Sequence, residues 1–498
     1  MTQDDPIKVY DARWEVNDFS SEEIRRFIES VLLYGQQLGV ETITISRDAR
    51  SGSGSVMELA LELSLKSGFT VFLCPDPIST PQSYFMTFWI TKKHSRAMGL
   101  TITASHNPAS YTGLKVTVPI VQAIGLDCGP LGGFTRVREI YHSPQVLPTG
   151  LSGKLNIVNL TEEYIRYSIK AAGITENGLK GMHVILDAMS GSAGPEIFTV
   201  LGRCGSEVEP LRLIPDGTFP TGSPNPTSKG KMDRAIDLSK AKDGALIVGT
   251  DGDGDRLVFG DGRGILSAGF ASAPVLDSII NSLGKRKKVS VLYDPKVNPV
   301  ALHEWFRLNI QPILFRNGHS HIKQYMRQIK GLAAVEESGH YYYKMVLDSL
   351  TMYCENSLLT ILLFLKTLKE RPGLLDELWD RQERVFTTGE LNFRLADDEM
   401  RDKAMNKLVD WFKHDKAQRV TSTTDGIDLQ GTIIRKGIKL NASSINISSD
   451  WYSGYLRIAT NEKAVLRFYL SASSIDLGKK IELAIKEILH NINAVEIE

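Results

Sequence analysis

Short apolar runs, each suited to a buried strand, recur along this chain and alternate with stretches of helical period. That alternation limits the possible fold more than any other feature. Thr42-Ile43-Thr44-Ile45, Val71-Phe72-Leu73 and Met98 to Thr103 form a first group of strands. Met182 to Leu186 and Ala245 to Val248 form a second, and Val289 to Tyr293 with Leu332 to Val335 a third. Ser21 to Leu38 reads as a helix, because Ile24, Phe27, Ile28, Val31 and Leu32 recur on one face. Ser20 and Glu23 make a capping box at its start, and Gly39 suits its end. Ser55 to Ser67 is a second helix, closed by Gly68. Strands alternating with helices build stacked α/β domains with mixed, largely parallel sheets. From about Arg384 the pattern changes: extended runs such as Gly389 to Arg394 sit beside helices such as Glu399 to Lys413, which is the mark of a smaller α+β domain. The expected segments are 1–155, 156–264, 265–384 and 385–498, three similar α/β domains and a C-terminal α+β domain. A length of 498 residues accommodates them, at about 100–200 residues per domain.

Lys plus Arg and Asp plus Glu both number 58, so the formal charge is zero. A nucleic-acid or anionic-membrane partner leaves a basic excess that this composition lacks, and neither partner is expected. The densest basic cluster, Lys285-Arg286-Lys287-Lys288, reads as a solvated loop. The four cysteines, Cys74, Cys128, Cys204 and Cys354, are far apart and form no CxxC pair, which argues against a structural zinc site or a disulfide framework. Met1 to Asp5 lacks the layout of a signal peptide. The longest nearly apolar run, Leu358 to Leu365, is too short to cross a bilayer. A cytoplasmic location is the expectation.

In open α/β sheets, ligands bind beyond the carboxyl ends of strands. Three loops in that position are unusual. The first is Ser105-His106-Asn107-Pro108, a serine on a short loop stiffened by proline. No G-x-S-x-G elbow surrounds it, and no nearby Asp completes a hydrolase triad. Lys115 follows after Tyr111-Thr112-Gly113, an ammonium suited to a phosphoserine or to proton transfer with a hydroxyl. The second loop is Asp251-Gly252-Asp253-Gly254-Asp255-Arg256. Three carboxylates alternating with two glycines can converge on one hard cation, and without a cation they repel. An EF-hand is excluded: counted from Asp251, its glycine position holds Arg256 and its closing Glu position holds Gly262. Magnesium is the expected ion. The third loop is Glu336-Glu337-Ser338-Gly339-His340, whose carboxylate and hydroxyl suit adjacent sugar hydroxyls. Upstream, Asn317-Gly318-His319-Ser320 and Lys323 add donors for a phosphate or a hydroxyl.

Together these motifs resemble the α-D-phosphohexomutase family, from about Tyr10 to Ala472. Tyr10-Asp11-Ala12-Arg13 is similar to the Tyr-Asp-Ile-Arg opening of its phosphomannomutase/phosphoglucomutase branch. Thr103 to Pro108 is similar to its phosphoserine motif, Asp251 to Arg256 to its magnesium loop, and Glu336 to His340 to its sugar loop. Asp294-Pro295-Lys296 and Gly318-His319-Ser320 fall where that branch has substrate-contacting Lys and His. The resemblance implies four domains around a central cleft. It implies a serine phosphorylated at rest, Ser105, with magnesium held by Asp251, Asp253, Asp255 and a phosphoserine oxygen. Hexose 1-phosphate and hexose 6-phosphate would interconvert, for mannose or glucose, through a hexose 1,6-bisphosphate that also serves as activator. Lys115, His106 and Arg256 are the implied catalytic residues. Tyr10, Arg13, Lys296, His319, Glu336, Ser338 and His340 are the implied substrate ligands. The implied partners are small sugar phosphates, and the protein is expected as a monomer or homodimer.

One motif departs from the family. The C-terminal domain's Arg-Pro-Ser-Gly/Asn-Thr-Glu-Pro phosphate loop is here Arg457-Ile458-Ala459-Thr460-Asn461-Glu462-Lys463. Arg457, Thr460 and Asn461 are the expected phosphate ligands of the altered loop, and Lys463 offers compensating charge. The departure leaves two alternatives: a phosphoglucosamine mutase, or a non-catalytic sugar-phosphate-binding homologue. Retention of Ser105, the three aspartates, Arg256 and Lys115 weighs against the second.

Overall fold

The computed structural model describes residues 5–284, 288–459 and 462–497. The basic run at 285–288 therefore lies mostly outside the described residues, as do Thr460 and Asn461. The chain forms two compact units. The first comprises Met1–Ile265, Gly318–Ala334 and Ser338–Glu370, and the second Leu266–Asn317, Val335–Glu337 and Arg371–Glu498.

The first unit contains two α/β sheets. In one, the strand order is Ala12–Glu15, Tyr111–Val118, Ala97–Ile102, Thr42–Arg47, Thr70–Pro77, Lys154–Ile157. Its centre is parallel, and Tyr111–Val118 runs antiparallel to Ala97–Ile102. The helix Ser21–Gln37 starts as its sequence dictates: the Ser20 side chain accepts from the Glu23 N–H, and Glu23 reaches back to the Ser20 N–H. Its apolar face, Ile24, Phe27, Ile28, Val31 and Leu32, joins Ile43, Ile45, Val71 and Leu100 of the sheet in one core. The second sheet aligns Leu246–Thr250, His183–Asp187 and Glu207–Leu211 in parallel, with Leu257–Asp261 antiparallel at one side. Both sheets end their inner strands in the loops that carry Ser105 and Asp251.

The segment expected as a third domain is shared between the units, and side-chain packing explains why. Helix Ser357–Glu370 is apolar on nearly every side, and Phe364 stacks on Phe259 of the second sheet with ring centroids 4.1 Å apart. Tyr164 donates to Asn356 Oδ1 at 3.0 Å. These contacts hold 338–370 in the first unit. The strands Val289–Tyr293 and Ile310–Leu314 pair in parallel in the second unit. That unit also holds an antiparallel sheet ordered Gln418–Ser422, Asp428–Leu440, Ile445–Ile458, Val465–Ala472, Phe386–Arg394, Val495–Ile497. Helices Asp398–His414 and Ile475–His490 give Leu408, Phe412, Ile481 and Ile485 to its core. This is the α+β arrangement expected of the C-terminal segment. Among the described residues no helix is long and apolar enough to cross a membrane.

One buried carboxyl makes folding depend on pH. Glu196, in the first turn of helix Gly194–Arg203, accepts from Ser79 Oγ at 2.6 Å, and burial pushes its pKa up to about 8. Between the ordinary glutamate range and that value, the unfolded chain releases the proton while the folded chain keeps it. The stability is therefore full below about pH 4.5 and is lost as pH rises toward 8, by up to about 4 kcal/mol. Denaturant titrations from pH 5 to 8 are expected to show this fall in the wild type and a flatter profile in Glu196→Gln. Parallel profiles would contradict it.

Candidate active site

Ser105 follows the strand Ala97–Ile102 after Thr103 and Ala104, with φ of +52°, a left-handed conformation uncommon for a residue with a Cβ. Its N–H donates to Thr103 Oγ1 at 2.9 Å, and its carbonyl accepts from Arg50. The hydroxyl lies 3.2 Å from His106 Nδ1 and donates to Asp251 Oδ2 at 3.3 Å. The serine loop and the aspartate loop, far apart in sequence, are thus in contact.

Glycine makes that contact possible. A Cβ at Gly252 would lie 2.9 Å from the Ser105 carbonyl oxygen and 2.8 Å from Pro224. Gly254, at φ +74°, would meet Ala193 at 2.4 Å. The loop therefore packs tightly and turns Asp251, Asp253 and Asp255 inward, all buried, with one oxygen of each within 4.8 Å of the others. Lys115, on the strand Tyr111–Val118, places Nζ 2.7 Å from Asp253 Oδ2 and 2.6 Å from Asp255 Oδ2. Thr80 Oγ1 also donates to Asp253 Oδ2, at 2.6 Å.

The electrostatics follow from burial and crowding. Burial and the neighbouring Asp253 and Asp255 push Asp251 well above the usual carboxylate range. Burial also opposes ionisation of Asp255, but Lys115 and His340 hold it well below that range. Burial lowers the Lys115 ammonium's pKa, yet Asp253 and Asp255 raise it further, so it stays charged. Asp253 Oδ1 is buried without a hydrogen-bond partner. Three converging carboxylates, one strained toward protonation and one with an orphaned oxygen, fit a hard divalent cation.

Cations and imidazoles surround this centre. Arg13 pairs with Asp11 at 2.8 Å and donates to Asn107 Oδ1 of the serine loop, also at 2.8 Å. The Arg256 N–H donates to Asp251 Oδ1 and its guanidinium to Asn225 Oδ1, both at 3.2 Å. Burial, then Arg256 and Arg13, push His106 well below its ordinary pKa, leaving a neutral ring. His340 Nε2 is 3.2 Å from Asp255 Oδ1, and Ser338 Oγ holds the opposite ring nitrogen at 2.8 Å. Ser338 therefore orients His340. His319, neutral for the same reason of burial, lies 4.0 Å from Asp11. Tyr10 abuts Gly318, where a Cβ would sit 2.3 Å from its ring. Lys323 is buried between His319, 3.5 Å away, and Glu355, at 2.8 Å.

The remaining sequence-predicted ligands gather in the second unit. Asn317 bridges Asp294 at 2.6 Å and Glu336 at 3.2 Å. Lys296 lies between Asp294, 3.9 Å away, and Glu390, 3.7 Å away. Arg457 and Arg467 face each other across neighbouring strands, and each holds one oxygen of Glu390, at 3.3 and 3.0 Å. Burial opposes the Glu390 charge, but Lys296, Arg457 and Arg467 hold its pKa down at about 2. Lys463 is exposed; the cation beside Arg457 is Arg467. Sequence reasoning missed Glu390, Arg467, Asn225, Asp48 and Arg50. Asp48 and Arg50 had a legible signal, charges packed directly after the apolar strand Thr42–Ile45. Glu390 lay inside a run that read only as a strand.

Comparison with known proteins identifies the family. The phosphoglucomutase/phosphomannomutase models match in sequence order: alpha/beta/alpha domain I at residues 6–123, domain II at 162–264 and domain III at 275–385. An Escherichia coli phosphomannomutase is 28% identical over 436 residues, covering 86% of this chain and 91% of that protein. A phosphoglucomutase/phosphomannomutase family protein from Burkholderia thailandensis has the same fold, with TM-score 0.78, 21% identity and full coverage of both chains. More distantly, an Aspergillus fumigatus N-acetylphosphoglucosamine mutase solved in complex with GlcNAc-6P and magnesium has TM-score 0.51 and 12% identity, covering 95% of this chain and all of that one. The chain belongs to the α-D-phosphohexomutase family. It is a phosphohexose mutase, an isomerase that works by intramolecular phosphoryl transfer.

The aspartate triad predicts a measurable response to metal. Adding magnesium to metal-free protein is expected to raise the melting temperature. Asp253→Asn is expected to need at least about tenfold more magnesium for the same shift. An unchanged magnesium dependence in the variant would exclude the triad as the binding site.

Proposed function

We propose that the chain interconverts the 1-phosphate and 6-phosphate of mannose or glucose, with Ser105 as phosphoryl carrier. One observation carries the reading: the Ser105 hydroxyl, on a loop gripped by Arg13, lies 3.3 Å from the first carboxylate of a buried aspartate triad. A phosphoserine bears about −1.5 to −2 charges, which Lys115, Arg256 and a cation held by the triad would neutralise. Asp251, Asp253, Asp255 and an oxygen on Ser105 would hold magnesium. When bound, the ion supplies charge neutralisation to the phosphoryl oxygens.

The chain's own residues do the rest. In the forward half-reaction the Ser105 Oγ–P bond breaks and a bond forms from phosphorus to a sugar hydroxyl, giving a hexose 1,6-bisphosphate. The sugar hydroxyl gives up its proton and the departing Ser105 Oγ takes one up, so the net proton transfer runs from sugar to serine. His106, neutral and 3.2 Å from Ser105 Oγ, is placed to deliver it there and to take it back when Ser105 attacks in the return step. Lys115 keeps its positive charge beside the transferring group, and Arg256 adds a second. Phosphoryl transfer asks chiefly for in-line positioning and charge stabilisation, which these groups provide. After the bisphosphate turns over, its other phosphate returns to Ser105 by the same steps in reverse. Tyr10, Arg13, His319, Ser338 and His340 are the proposed substrate contacts of the first unit. Lys296, Glu336 and Arg457 are those of the second.

A coupled assay tests this with mannose 1-phosphate, glucose 1-phosphate and glucosamine 1-phosphate, each with magnesium and a trace of glucose 1,6-bisphosphate. Turnover of the mannose or glucose substrate is expected, falling at least about 1,000-fold in Ser105→Ala. Wild-type turnover in that variant would remove Ser105 from the mechanism. Preference for the glucosamine substrate would reassign the sugar.

A further inference from the structure

The pair Asp48 and Arg50 lies beneath the serine loop and takes no part in the chemistry above. Arg50 is completely buried, and all five N–H groups of its guanidinium are engaged. Nε donates to Asp48 Oδ2 at 3.0 Å. One terminal nitrogen donates to the carbonyls of Pro108 and Tyr111, at 2.6 and 3.2 Å. The other donates to the carbonyls of Ser105 and of Asn107, the latter at 2.6 Å. Phe219 covers the guanidinium face, its ring centroid 5.0 Å away. Asp48 Oδ1 accepts from the Arg50 N–H at 3.0 Å and from Ser53 Oγ at 2.7 Å. Asp48 Oδ2 accepts from Thr103 Oγ1 at 2.7 Å, and Thr103 Oγ1 in turn accepts the Ser105 N–H at 2.9 Å.

Both backbone polar groups of Ser105 are thus tied to one buried ion pair, the carbonyl through Arg50 and the N–H through Thr103 and Asp48. Ser105 is the residue whose left-handed φ of +52° the chain does not favour by itself. An arginine beside a phosphoserine would ordinarily be read as a phosphate ligand. Here the guanidinium has no donor left and no exposed surface.

We propose that Arg50 is a positioning residue: it holds the Ser105–Tyr111 loop in the conformation that aims Ser105 Oγ at the aspartate triad, without touching phosphate or sugar. The proposal rests on the reading of Ser105 as phosphoryl carrier. Lysine cannot substitute, because an ammonium offers three donors from one point, not a planar fork that spans four carbonyls. Loss of the fork leaves substrate ligands in place but moves the nucleophile, so the effect falls on kcat.

The test compares full-length wild type with Arg50→Lys and Arg50→Ala by kinetics and by amide hydrogen exchange. In Arg50→Lys, kcat is expected to fall about 100-fold while KM stays within about threefold. Exchange should quicken in residues 103–111 and stay unchanged in the strand Leu246–Thr250. Guanidinium ion should restore kcat to Arg50→Ala in a saturable manner. Thr103→Val, which cuts only the N–H tether, serves if the arginine variants fail to fold; it should show the same kcat loss with the same local exchange. Wild-type kcat in a folded variant, a loss carried by KM, or exchange raised uniformly across the unit would overturn the proposal. The exchange measurement needs no sugar. A wild type without mutase activity would sink the reading of Ser105, while the loop's exchange would still judge Arg50.

Discussion

The first unit is organised around the mutual repulsion of three buried carboxylates. Asp251, Asp253 and Asp255 stand within 4.8 Å of one another out of contact with water. Such a cluster persists only where positive charge and hydrogen-bond donors answer it. Lys115 answers from the first sheet, Thr80 from the helix beside it, and Arg256 from the loop itself. Because Lys115 lies on the strand paired antiparallel with the one that leads into Ser105, satisfying the charge also brings the serine hydroxyl to the triad. The interaction that stabilises the contact between the two sheets' loops therefore also builds the proposed catalytic centre.

Much of this was legible in the residues. The capping box at Ser20 and Glu23, the apolar face of the helix that follows, and Val289–Tyr293 as a strand are fixed by local rules, and they appear where those rules put them. The aspartate loop was legible because its spacing has few other uses. Less visible were partners chosen by three-dimensional proximity. The Arg50 grip on the serine loop joins residues more than fifty positions apart and carries no periodic signature. Ser338 suggested a sugar ligand from its hydroxyl, but its contact with His340 two residues on was not foreseen. Lys323 suggested a donor near His319, and its ion pair with Glu355 was hidden because Glu355 lies on a strand whose placement no local rule gives. The division of residues 265–384 between two units arises from the packing of Phe364 and Asn356, which depends on the assembled second sheet.

The second unit shows how an altered motif keeps its charge. Ala459 stands where the family has a hydroxyl donor, yet Arg457 remains, and Arg467 lies directly across the strand pair from it. Glu390 holds both guanidinium groups and stays ionised with Lys296 close by. Three cations around one carboxylate are an ordered group, kept from scattering by their shared counter-ion.

The central claim is that Ser105 gives its phosphoryl group to a sugar. The direct measurement is a pulse and chase. The protein is charged with glucose 1,6-bisphosphate carrying labelled phosphate, the modified residue is located by peptide mass spectrometry, and unlabelled hexose monophosphate is then added. The account predicts label on Ser105 after the pulse and in sugar phosphate after the chase. Label on another residue, or its release as inorganic phosphate in the chase, would contradict it.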